Sequence, residues 1–283
     1  MKRVSVSCVL LAGMLAVGAG CFKHHGAPER PVTAKGLEAA LAMRETVQFL
    51  DLSDSTLRSV PMECAQMPRL ETLVLRGSKG LSIFAGLTPL KGLKRLDLSH
   101  TEMSRMPQEV CGLAGLEHLY LAGNKLKTLP PAVAQLTKLT YLNLDRNGLE
   151  TLPPAVGGMA DLRWLRMNEN NLTAIPEEVR GLKRLQRVYL CQNKLAAVPE
   201  CLKDLPLLEG ISLSGNPVKE IPQWVAELPK LRQLDLDHCQ VSKLPDDLSG
   251  LKRLQVLTMV KCPVSAEEKA RIRKALPKTH VMF

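Results

Sequence analysis

The sequence predicts an α/β solenoid: one elongated stack of about ten repeats, each contributing a short strand. Three columns of residues in one 23-residue register carry that expectation. The first is Leu50, Leu73, Leu96, Leu119, Leu142, Leu165, Val188, Ile211, Leu234 and Leu257, apolar at every step and free of insertions. The second is Ser55, Ser78, Thr101, Asn124, Asn147, Asn170, Asn193, Asn216, Cys239 and Cys262. Every member can donate a hydrogen bond, as an inward side chain facing backbone carbonyls must. The third holds proline at 61, 107, 130, 153, 176, 199, 222 and 245, broken by Phe84 and Glu268. Such a stack buries each apolar face only against its neighbours. With 45% hydrophobic but 3% aromatic residues, aliphatic layers must fill it.

The chain opens with Met-Lys-Arg, an apolar run over Val4–Val17 and then Gly18-Ala19-Gly20-Cys21. A membrane span needs about twenty apolar residues, so residues 1–20 have the layout of a signal peptide. Small residues directly before a cysteine resemble the bacterial lipoprotein signal, although Gly18 stands where leucine is usual. That resemblance implies lipidation at Cys21 and an exported, membrane-anchored lipoprotein of the bacterial cell envelope. Phe22, in place of an aspartate, implies the outer membrane if the cell is Gram-negative. Two or more acyl chains on one cysteine give stable anchoring. Residues 21–34, rich in Pro, Gly and mixed charge, read as a flexible tether. His24 and His25 lie in it without further ligands, so neither metal nor cofactor is expected.

Residues 35–283 form the folded domain. GLEAALAMRETV (Gly36–Val47) reads as an amphipathic helix closing the first end, within a cap over 35–47, with Leu37 and Leu41 inward. The repeats occupy 48–264. LEHLYLAGNKL (Leu116–Leu126) and LTYLNLDRNGL (Leu139–Leu149) fit LxxLxLxxN/CxL, and the chain resembles the leucine-rich-repeat superfamily over most of its length. The resemblance implies a leucine-rich-repeat solenoid: a curved horseshoe with a concave parallel β-sheet of about ten strands and helical caps at both ends. Residues 265–283 supply the second cap. Ser265-Ala-Glu-Glu268 reads as a capping box, opening a helix over Ala266–Leu276 that Pro277 stops. Thr279–Phe283 reads as a short edge strand, and no further domain is expected downstream.

Cys64 shares an inward column with Leu41, Leu87 and Val110 and reads as a core residue. Cys239 and Cys262 occupy neighbouring repeats within disulfide range, which an exporting compartment permits. Two free thiols in place of Asn are the preferred reading. There is no GxSxG, HExxH or phosphate loop. His100 and His238 share a column but stand six repeats apart, too far to cooperate. The protein is therefore read as a non-enzyme. The net charge of +10 gathers in LKRL at Leu93–Leu96, Leu182–Leu185 and Leu251–Leu254 and in the last helix. A basic rim of this kind supports an alternative reading, a structural envelope protein adhering to anionic lipid or cell-wall polymer. An exported protein rarely meets nucleic acid, and none is expected.

Strand side chains alternate, so with Leu142 and Leu144 inward, Tyr141, Asn143 and Asp145 face the concave solvent side. The same row as Tyr141 holds Arg95, His118, Trp164 and Arg187. The next row holds Asp97, Tyr120, Asn143, Arg166 and Tyr189, and a third has Asp145, Asn168 and Cys191. All three tyrosines and one of two tryptophans fall within four successive repeats, beside three arginines. Tyr, Trp and Arg are the types enriched at binding hot spots. The expectation is a monomer that binds a protein ligand there, with Trp224, following Pro222 on the convex side, as the comparison residue.

Overall fold

The computed structural model describes residues 31–283, in which the 23-residue period becomes one open sheet of twelve parallel strands in chain order. The expected signal peptide over 1–20, Cys21, His24 and His25 lie outside the described residues. The strands are β1 (Thr33–Lys35), β2 (Phe49–Asp51), β3 (Thr72–Val74), β4 (Arg95–Asp97), β5 (His118–Tyr120) and β6 (Tyr141–Asn143). They continue as β7 (Trp164–Arg166), β8 (Arg187–Tyr189), β9 (Gly210–Ser212), β10 (Gln233–Asp235), β11 (Val256–Thr258) and β12 (His280–Met282). Within β2–β11 the partners sit one repeat apart, as in Leu142 opposite Leu119 and Leu165. No member of the apolar column is more than 2% exposed.

Each strand is only three residues long because two further columns bend the chain. Asn147 donates from Nδ2 to the carbonyls of Leu121 and Leu144, both at 3.0 Å, and its Oδ1 accepts from Leu126 N–H at 3.1 Å. Asn124, Asn170, Asn193 and Asn216 repeat that triad of contacts, tying the turn after each strand to its neighbours. The residue just before this column is left-handed in every repeat from Asp54 to Lys261, with φ between 53° and 76°. Glycine meets that demand at 77, 123 and 215, and elsewhere side chains such as Arg146 and Glu169 tolerate it. His100 and His238 belong to this column. They share a backbone bend, not a chemistry. Farther on, the prolines from Pro61 to Pro222 hold φ near −65° as the chain enters a short helical turn on the convex side.

Most of those turns are 3-10. The α-helices are α1 (Leu37–Ala42), α2 (Gln108–Cys111), α3 (Gln223–Glu227) and α4 (Ala266–Ala275). At the first end the expected helix over 36–47 is six residues long. It runs from Leu37, with Gly36 at its N-cap, and gives way to a turn in which Thr46 and Val47 N–H both reach the Met43 carbonyl, sending the chain into β2. Ala40 is fully buried, whereas Leu37 and Leu41 pack half-buried against the core. The outermost element here is a strand: β1 pairs with β2, Ala34 opposite Leu50.

At the far end Val281 in β12 pairs with Leu257, as the edge-strand reading expected. The capping box forms only by half. Ser265 Oγ accepts the Glu268 N–H at 3.2 Å. The Glu268 carboxylate, instead of returning to Ser265 N–H, accepts from Leu244 N–H at 3.0 Å and from Arg271 at 2.7 and 2.8 Å. Arg271 in turn donates to the Leu244 and Pro245 carbonyls. These contacts stitch α4 to the preceding repeat.

The Arg271 guanidinium thereby holds Glu268 below the ordinary carboxylate range. A depressed folded-state pKa gives stability that is complete above the unfolded value near 4.3 and lost as pH falls through the lowered one. Amide protection in β11 and β12, taken relative to the intrinsic exchange rate at each pH, should therefore fall below about pH 4. Glu268→Gln should flatten that step, and identical pH profiles for the two proteins would refute it.

The buried thiols agree with a core role. Burial raises Cys64 to about 11 and Cys239 to about 12, so neither is a reactive thiolate. Cys239 and Cys262 each donate to a carbonyl 26 residues back, Leu213 at 3.4 Å and Leu236 at 3.0 Å, where the asparagines of the column donate. No described helix is long and apolar enough to cross a membrane.

Candidate concave binding surface

In-register pairing sets Tyr141 beside His118 on one side and Trp164 on the other, and Asn143 between Tyr120 and Arg166. Neighbouring strands lie about 4.8 Å apart, so rings in adjacent strands must meet. They do: Tyr120 to Tyr141 is 5.0 Å between centroids, Tyr141 to Trp164 is 5.9 Å and His118 to Tyr141 is 6.1 Å, all tilted. The arginines lie over rings, Arg166 on Tyr189 at 4.8 Å, Arg95 on Tyr120 at 5.6 Å and Arg187 on Trp164 at 5.9 Å. The result is one continuous apolar strip across β4–β8, its rings half-buried and its cations drawn over them.

The strip is locked by hydrogen bonds. Asp145 takes Arg166 Nε at 2.8 Å and Nη2 at 2.7 Å, and its second oxygen accepts Asn168 N–H at 2.7 Å. Asn143 Oδ1 accepts the Asp145 N–H at 2.9 Å. Burial pushes the Tyr141 phenol up to about 12 and raises Tyr120 also, so both remain hydroxyl donors. Burial, with Arg95 nearby, lowers His118, which is neutral at pH 7. Its Nδ1 is buried with no hydrogen-bond partner.

Of the residues the sequence placed on this face, Arg95, His118, Tyr120, Tyr141, Asn143, Asp145, Trp164, Arg166, Arg187 and Tyr189 are at least partly accessible. Asn168 is 6% exposed and spends its Oδ1 on the Cys191 N–H at 2.8 Å. It supports the strip and presents little to a partner. Trp224 proves to be a core residue of α3, 7% exposed with Nε1 donating to Glu200. Replacing it would perturb folding, so it is unsuitable as a neutral comparison. Sequence reasoning missed the link between Arg187 Nη1 and Gln233 Oε1, 2.9 Å across β9. The available signal was Gly210, the one position of that row without a side chain to stand between them.

Part of the basic surface is compensated. Lys94 pairs with Glu71, Lys125 with Glu102, Arg146 with Glu169 and Arg184 with Asp161, each across one repeat at 2.5–3.0 Å. These exposed pairs add little stability; in the LKRL segments they neutralise Lys94 and Arg184 and leave Lys252 and Arg253 without an ion pair among the described residues. Among the described residues no cluster of His, Cys, Asp and Glu is able to hold a metal ion.

Comparison with known proteins fits this geometry. A leucine-rich-repeat region model matches residues 78–186, and a leucine-rich-repeat model matches 162–218 and 183–241. No curated protein sequence matches. Among solved structures, a leucine-rich-repeat protein of Leptospira interrogans is 31% identical over 88% of this chain and 75% of its own, with a TM-score of 0.57. An internalin of Listeria monocytogenes shares the fold, with a TM-score of 0.72 at 20% identity over 88% of this chain and 70% of that one. The ectodomain of the Arabidopsis thaliana receptor kinase GASSHO1/SCHENGEN3, solved in complex with Casparian strip integrity factor 2, is 30% identical with a TM-score of 0.64. There the match covers 80% of this chain but 28% of the receptor chain. Repeat period, sheet register and these likenesses agree: the chain belongs to the leucine-rich-repeat family.

Proposed function

We propose that this is a non-enzymatic, lipid-anchored binding protein of the bacterial envelope, and that it engages a protein partner through the concave strip from Arg95 to Tyr189. The observation that carries this reading is the packed run Tyr120, Tyr141 and Trp164 with arginines over its members. Rigid aromatic area loses little rotamer entropy on binding, and a planar guanidinium recognises carboxylates or carbonyls. Pairing of Lys94 and Arg184 with acids one repeat away reduces the free charge at two of the three LKRL segments, which supports this strip over the rim as the contact surface.

The test is affinity capture from envelope extracts followed by titration of the captured partner. Trp164→Ala or Tyr189→Ala should weaken binding by at least about 2 kcal/mol, as central hot spots do, without lowering the melting temperature. Met62→Ala, at an exposed side chain of a convex turn, is the comparison and should bind as wild type. Equal losses at Trp164 and Met62, or none at either, would move the site elsewhere.

The anchor has its own test, for which the motif ending at Cys21 is the support. Wild-type protein should fractionate with membranes, whereas Cys21→Ser should release it or block its processing. Wild-type protein found wholly in the soluble fraction would overturn the anchor.

A further inference from the structure

The charges on the strip are unevenly neutralised. At its centre Arg166 is matched by Asp145. At its two ends the arginines have no such match: among the described residues no carboxylate lies within ion-pair distance of Arg95 or Arg187. Arg95 is exposed and touches the Tyr120 ring, and Arg187 bonds only the neutral amide of Gln233 while lying over Trp164. The ring run of β5, β6 and β7 falls between them.

Resting on the concave-face reading above, we infer that Arg95 and Arg187 are two anion brackets, and that the partner presents an extended apolar segment flanked by two carboxylates. Four strand intervals separate β4 from β8, about 19 Å at the usual spacing. An extended chain advances about 3.4 Å per residue, so the two acidic side chains stand about five or six residues apart. The segment between them covers Tyr120, Tyr141 and Trp164. The neutral centre admits apolar groups there without stranding a charge, whereas an acid placed over it meets the Asp145 carboxylate. The protein's net charge of +10 draws an acidic partner in the same sense.

The experiment uses the full chain and synthetic capped peptides of one apolar composition. Each carries two glutamates set about two, about five or about eight residues apart, or two glutamines at the middle spacing. Binding is read by titration calorimetry, a signal that does not depend on Trp164 and so applies equally to the Trp164→Ala variant. The middle spacing should bind at least tenfold more tightly than the others or the glutamine peptide. Arg95→Gln and Arg187→Gln should each cost about tenfold, the size expected for a charge-assisted hydrogen bond, and should abolish the preference for spacing. Circular dichroism should show both variants folded as wild type.

Affinity independent of spacing overturns the inference. So does binding that survives both arginine substitutions, or failure of every peptide to bind. Peptide binding lost in Trp164→Ala but untouched by the arginine changes would leave the concave-face reading standing and remove only the brackets. Capture of a partner that ignores Trp164 would remove that reading itself.

Discussion

Deletion of residues 265–283 should make the protein aggregate. That stretch contributes two layers to the far end. Strand β12 pairs along β11, and α4 lays Ile272 and Leu276 over the last repeat, 0% and 4% exposed. Without them Leu257, Met259 and Val264, all buried in the intact chain, face solvent beside a row of unpaired backbone groups. A terminal repeat needs a polar outer face for solubility, and an uncovered parallel edge is a template for another copy. The Glu268–Arg271 network also goes, freeing the Leu244 N–H and the Leu244 and Pro245 carbonyls that it satisfies. Light scattering behind size exclusion reads the outcome. A truncated protein with the same oligomeric state and melting temperature as the full chain would show that the last repeat does not depend on this cover.

The sequence made the fold readable because each inward position is forced once per repeat. Leu142 has no freedom to be polar when Leu119 and Leu165 sit on either side of it, and Asn147 has three backbone groups to satisfy. β1 escaped notice for the opposite reason. Ala34 pairs with Leu50 at an offset of sixteen, outside the period, so no column points to it. The left-handed column also hid, since Asp54, Arg146, Gln192 and Lys261 share a torsion and no side-chain chemistry.

The aromatic strip was legible from alternation alone, which decides the face on which Tyr141 and Trp164 emerge. Which charges remain free on that face was not. Arg166 and Arg187 look equivalent in sequence, yet one is fixed by a carboxylate one strand back and the other reaches across β9 to an amide. Those choices depend on rotamers and on the absent side chain of Gly210. Asn168 illustrates the same limit. Beyond the end of the strand its amide turns inward to the next backbone N–H, so counting alternate residues overstated what it presents to solvent.

Arg166→Met should destabilise the protein by about 2–3 kcal/mol, below the 3–5 typical of a fully buried pair. The side chains of Arg166 and Asp145 are 23% and 13% exposed, so solvent screens them only in part. Methionine keeps much of the aliphatic length but leaves the Asp145 carboxylate with the Asn168 N–H as its remaining donor in this cluster. Asp145→Asn retains an oxygen for that N–H and removes the charge, so its cost should be smaller. Combined, the two changes should cost less than their sum, because each single variant already breaks the pair. A double-mutant cycle in urea should return a coupling of about 1–3 kcal/mol, within the range of residues in direct contact. Arg166→Met also uncovers the Tyr189 ring, so partner affinity should fall together with stability. Arg95→Gln separates the two effects: Arg95 is exposed and pairs with no described carboxylate, so its loss should weaken binding and leave the urea midpoint in place. A coupling below about 0.5 kcal/mol would mean that Arg166 and Asp145 act independently, and that packing of the rings alone holds the centre of the strip.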